Sequence, residues 1–162
     1  CAGSGTFADM IAAVDWVTAN ARRPAVVNMS AGGRDHAPLS NAIAASVASG
    51  VTYVVAAGND GADACGYSPA STVAAVTVGA TGPDGARAPF SNAGPCVDLF
   101  ARGVGITSAG IADDSASRVM NGTSMAAPRV AGAAALVLAA HPAATPAEAA
   151  TALGAAAPPD AR

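Results

Sequence analysis

The chain has 162 residues, of which 52% are hydrophobic and 12% charged, and its net charge is -3. That length fits one domain with a real core, and so apolar a composition excludes a disordered chain. The slight negative balance leaves no basic footprint, so nucleic acid is not an expected partner. Aromatics are only 4%, while there are 18 glycines and 11 prolines. The core must therefore be built from Ala, Val, Ile and Leu at close approach, with many tight connections.

In chain order, residues 6–23 place Phe7, Met10, Ile11, Val14 and Val17 at helical spacings, with Asp9 early and arginines at the end, and Pro24 stopping the helix. A short strand at 25–30 is expected to be buried, and residues 38–50 form a second helix closed by Gly50. The run "VTYVVAAG" (51–58) is almost wholly apolar, as in a parallel strand covered on both faces. Residues 73–80 repeat that pattern, "GPDG" (82–85) marks a turn, and 97–101 is a further strand. A small-residue helix follows Ser124. Its longest apolar run, Val130 to Ala140, is too short to cross a bilayer, so a buried helix and no membrane partner are expected. The last helix, 145–156, starts at a capping box of Thr145 and Glu148 with Pro146 in its first turn.

Helices alternating with strands predict an α/β fold of three layers, a mainly parallel sheet with helices on both faces. Ligands in such folds sit beyond the carboxyl ends of the strands. Three Gly-containing segments lie at such places: "SAGG" (30–33), "AAGND" (56–60) and the loop leading to Ser124. Their convergence is the expected site. The three cysteines fit either disulfides in an oxidising compartment or free thiols in a reducing one.

Within "NGTSMAAP" (121–128), Ser124 sits at the mouth of a helix, where free N–H groups and the dipole favour negative charge. A serine hydroxyl reacts when a base takes its proton and donors hold the resulting oxyanion. The local sequence equally allows Ser124 or Thr123 to be a helix cap, and Asn59 to be a turn former.

"NGTSMAAPRVAGAAAL" resembles the nucleophile segment of subtilisin-like serine proteases, especially the proteinase-K-like branch. "VVNMSAGG" resembles that family's groove strand, and "VVAAGNDGADACGYSPAS" with "FSNAGPCVDLFARG" its oxyanion strand and loop. The likeness runs from about Gly3 to about Gly154, in register. It implies that Ser124 is the nucleophile and Asn59 the side-chain donor to the oxyanion, beside the Ser124 N–H. It also implies that Ser30, Ala31, Gly32, Ala57 and Gly58 hold an extended peptide by main-chain bonds. Ala57, Gly58 and Tyr67 would then shape a pocket for apolar or aromatic side chains. By the same resemblance Cys65 and Cys96 form a disulfide, and Cys1 pairs with a cysteine that precedes this chain. A structural calcium would be held by Asp98 with the carbonyls of Val73 and Ala75, and no cofactor is required for the chemistry.

In that family the catalytic residues run Asp, then His, then Ser. The Asp and His segments would precede Cys1. His36 and His141, with Asp15, Asp60 and Asp98, lack the family's context for those roles. Residues 1–162 thus read as an incomplete peptidase domain whose partners are its missing N-terminal part and a peptide or protein substrate, in a secreted parent. The family's usual Thr-Pro-His is Ala127-Pro128-Arg129 here, and its groove leucine is Ala31. Those departures fit the alternative, a non-catalytic truncated or degenerate homologue that binds peptide or is a structural remnant.

Overall fold

The computed structural model describes residues 4–157; Cys1 lies outside them. A four-stranded parallel sheet forms its middle, built from β1 (Ala25–Met29), β3 (Val51–Ala56), β5 (Val76–Thr81) and β6 (Leu99–Arg102), side by side in that order. Helices α1 (Phe7–Asn20) and α2 (Ala37–Ala48) cover one face. Helices α3 (Thr123–Ala140) and α4 (Pro146–Ala156) cover the other. The three-layer α/β architecture is thus the observed one.

Strand alternation explains the two cores. In β3, Val51, Tyr53 and Val55 pack with Val14, Leu39 and Ile43 under α1 and α2. Val54 and Ala56 point the other way, to Val76, Val78, Ala126, Ala127, Val130 and Ala134. Alanines at those positions of α3 let helix and sheet backbones approach closely. By length and composition α3 is long and apolar enough to cross a membrane, which the shorter run Val130 to Ala140 had argued against. Here its buried stripe lies on the sheet, while Leu136 on the opposite side is exposed.

Several ends differ from expectation. Helix α1 stops at Asn20 and Ala21 is already extended, so the arginines lie beyond it. Arg23 instead donates to the Ser49 carbonyl at 2.6 Å and hydroxyl at 2.8 Å, at the end of α2. Thr6 and Asp9 form a capping box. Helix α3 begins at Thr123, ahead of the expected start. Strand β1 is an edge strand with Asn28 exposed rather than buried, since an apolar run does not say how many neighbours it has. Two small ribbons were not expected. One pairs β2 (Gly33–Arg34) with β4 (Tyr67–Ser68), and the other pairs β7 (Ile106–Ala109) with β8 (Ser117–Met120).

Candidate active site

A cleft of about 870 Å³ opens at the carboxyl ends of β1 and β3 and the start of α3. Ser30, Ala31, Gly32, Ala57, Gly58, Asn59, Tyr67 and Ser124 all line it. The expected convergence of the "SAGG", "AAGND" and Ser124 segments is therefore what the fold produces. Ser4, Gly5 and Met10, at the start of α1, supply a further wall that pattern reading did not pick out.

Ser124 is the second residue of α3, whose N-cap, Gly122, has no side-chain capping bond. The first free N–H of that turn is taken from outside: Asn59 Oδ1 accepts from the Thr123 N–H at 2.8 Å and from the Thr123 hydroxyl at 3.0 Å. That hydroxyl in turn accepts from the Gly58 N–H at 3.2 Å. With its oxygen occupied by two donors, the Asn59 amide must present Nδ2 as its free end. Among the described residues neither Nδ2 nor the Ser124 N–H has a hydrogen-bond partner. Thr123, read from sequence as a cap candidate, serves as the peg for the amide of Asn59.

Pro128 lies four residues after Ser124 and has no N–H, so the Ser124 carbonyl loses its helical partner. The Ser30 hydroxyl replaces it, donating to that carbonyl at 3.0 Å. The Ser124 hydroxyl donates to the Ser30 carbonyl at 3.3 Å, and Asn28 Nδ2 donates to the Ser30 hydroxyl at 2.9 Å. The serine is thus tied to the groove segment on both sides.

Among the described residues no histidine lines the cleft. His141 caps the C-terminus of α3, roughly 25 Å from Ser124 at 1.5 Å per residue. His36 caps α2, its Nδ1 accepting from the Leu39 N–H at 3.3 Å, and its ring stacks on Phe7 with centroids 4.3 Å apart. Asp60 lines the cleft, whereas Asp15 is exposed on α1.

The expected calcium residues lie away from the cleft. Val73 is on an exposed loop, Ala75 is buried just before β5, and Asp98 precedes β6. Asp98 Oδ2 accepts from the Thr77 N–H at 2.7 Å. Much of the residue's surface is exposed, yet burial of its carboxylate raises the pKa above the usual aspartate value, with the Thr77 bond pulling the other way. A desolvated carboxylate holding one hydrogen bond fits an oxygen-seeking cation. No cluster of three or more His, Cys, Asp or Glu occurs among the described residues. Cys65 and Cys96 are joined, with Cα atoms 5.3 Å apart.

A model of the subtilase family matches residues 2–161. The chain belongs to the subtilase family. It is 54% identical to an extracellular serine proteinase of Thermus sp. (strain Rt41A), over 94% of this chain and 37% of that protein. It is 52% identical to alkaline serine exoprotease A of Vibrio alginolyticus, over 85% of this chain and 26% of that one. Among solved structures, a cold adapted subtilisin-like serine proteinase superposes with a TM-score of 0.92 at 46% identity, over 96% of this chain and 56% of the other. This subtilase chain therefore spans about a third of the length of these two sequence relatives.

Proposed function

We propose that this chain is the nucleophile and oxyanion portion of a serine endopeptidase that cleaves peptide bonds by acyl transfer. Ser124 Oγ attacks the scissile carbonyl, and its proton passes to a base supplied by polypeptide outside residues 1–162. The Asn59 Nδ2 and the Ser124 N–H hold the oxyanion, helped by the N-terminal dipole of α3. The substrate lies as an extended strand along Ser30, Ala31 and Gly32 and along Ala57 and Gly58. Its main side chain, apolar or aromatic, enters beside Tyr67. The observation that carries this reading is the Asn59 amide, held by Thr123 in the first turn of the helix that bears Ser124. An extracellular setting is proposed from the joined cysteines and from the printed name of the Thermus relative. The chemistry requires no cofactor on this reading, and Asp98 with the Val73 and Ala75 carbonyls would hold a structural calcium.

Triad members act as a unit, so residues 1–162 alone are expected to show little or no peptidase turnover. In the complete peptidase, Ser124→Ala abolishes hydrolysis of a peptide ester. In subtilisin itself, loss of the asparagine donor costs on the order of 10² to 10³ in kcat, and a similar loss is expected for Asn59→Ala. Protease-like turnover by purified residues 1–162, lost on Ser124→Ala, would refute the external base. Full turnover by the Ser124→Ala peptidase would refute the nucleophile. Cleavage of a peptide library solely after charged residues would overturn the apolar pocket.

A further inference from the structure

We infer that Asn92 is a positioning residue for the oxyanion site, setting the place of Asn59 without touching substrate. This rests on the reading of Ser124 and Asn59 given above.

Asn92 is fully buried, as is Ser91 beside it. Its side chain is committed entirely to the loop that carries Asn59. Oδ1 accepts from the Asp60 N–H and from the Ala62 N–H, both at 3.0 Å. Nδ2 donates to the Ala57 carbonyl at 2.9 Å, and the Asn92 N–H donates to the Gly58 carbonyl at 3.0 Å. The peptide units on both sides of Asn59 are therefore held by one residue. Asn92 is itself anchored: the Ser91 hydroxyl accepts from the Ala80 N–H of β5 and donates to the Asn92 carbonyl, each at 2.9 Å. The position of β5 is thus passed through Ser91 and Asn92 to the backbone around Asn59, while Thr123 sets only the rotation of its amide.

Asparagine suits this place for a chemical reason. The loop offers two N–H donors and one carbonyl acceptor, and a short primary amide answers both kinds at once. Aspartate keeps the acceptors and loses the donor to Ala57. Alanine leaves the buried Ala57 carbonyl and the part-buried Asp60 and Ala62 N–H groups without these partners. Gly58 is part of the same fit: at φ +103° it runs so close to Asn92 that a Cβ would collide with Nδ2.

The test is a double-mutant cycle in the complete peptidase, reading kcat for Asn92→Ala, Asn59→Ala and the pair. A misplacement near 1 Å costs on the order of 10² in rate, so Asn92→Ala is expected to lower kcat by about that factor. The double variant should then be no slower than Asn59→Ala alone, because the donor being positioned is already gone. Losses that multiply in the double variant, or an Asn92→Ala kcat within about twofold of the parent, would overturn this inference alone. Full turnover in Asn59→Ala would overturn it together with the oxyanion assignment. If Asn92→Ala does not fold, Asn92→Asp enters the same cycle. Hydrogen exchange in the unmodified protein adds a check free of substitution. The amide of Asp60, an exposed residue, should exchange as slowly as the core amides of β5, and exchange at open-loop rates would overturn the clamp.

Discussion

Removing the Cys65–Cys96 bridge tests how the loop beside the site is held. The two cysteines are separated by 31 residues. Closing a loop of that size in the unfolded chain costs about 12 cal/mol/K of entropy, or about 3.7 kcal/mol at 25 °C. For a domain of this size each kcal/mol moves Tm by roughly 2–4 °C, so replacing both cysteines by serine should lower Tm by roughly 7–15 °C. In the native state the segments meet anyway. The Ala64 N–H donates to the Ala93 carbonyl at 2.8 Å and the Ala93 N–H to the Ala62 carbonyl at 3.0 Å. The fold and the cleft should therefore survive in the double serine variant, with the loss appearing in stability. The assay is thermal unfolding of the complete peptidase and its variant, with intact mass before and after reduction. An unchanged mass on reduction would refute the bridge. A Tm within about 2 °C of the parent would refute the assignment of its effect to the unfolded chain.

Gly58→Ala is expected to destabilise by about 2–5 kcal/mol, from a left-handed backbone angle and a side chain driven against Asn92, and to lower kcat as well. Gly132→Ala, on α3 with nothing within 4 Å of its added Cβ, should instead stabilise by about 0.5–1 kcal/mol. Urea unfolding that ranked the two alike would contradict both. The raised pKa of Asp98 carries a definite sign. Without calcium, between the ordinary value and the folded one, more of the native state than of the unfolded chain keeps the proton. The group's contribution is thus complete below the ordinary aspartate value of 3.8 and is lost as pH rises through the folded value. Asp98→Asn should remove that dependence. Added calcium should raise Tm at pH 7 in the parent but not in Asp98→Asn, and an equal rise in both would eliminate Asp98 as a ligand.

Much of the architecture was legible because its signals are local. Apolar runs at 51–58 and 73–80 announce strands covered on both faces, and the strands formed there are Val51–Ala56 and Val76–Thr81. The Thr145–Glu148 box fixes the start of α4 to the residue. The ribbons β2–β4 and β7–β8 escaped notice because strands of two and four residues, mixed in polarity, carry no period to read. The cleft was legible in part, since three Gly-bearing strand ends and a serine at a helix mouth already imply convergence in a parallel sheet.

What the amino-acid order determined by itself was the four helices and the strands of the parallel sheet, the small side chains that let α3 lie close on that sheet, and a hydroxyl at that helix's start. What only the tertiary structure decided was partnership. Asn92 lies 33 positions beyond Asn59 in the chain, and nothing local marks it from any other loop asparagine. Its role exists because the sheet order brings the segment after β5 alongside the loop after β3. Ser30 likewise meets Ser124 across 94 positions, at a carbonyl that Pro128 left free. Local chemistry sets what each residue is able to bond, and the packing of distant segments selects the partner.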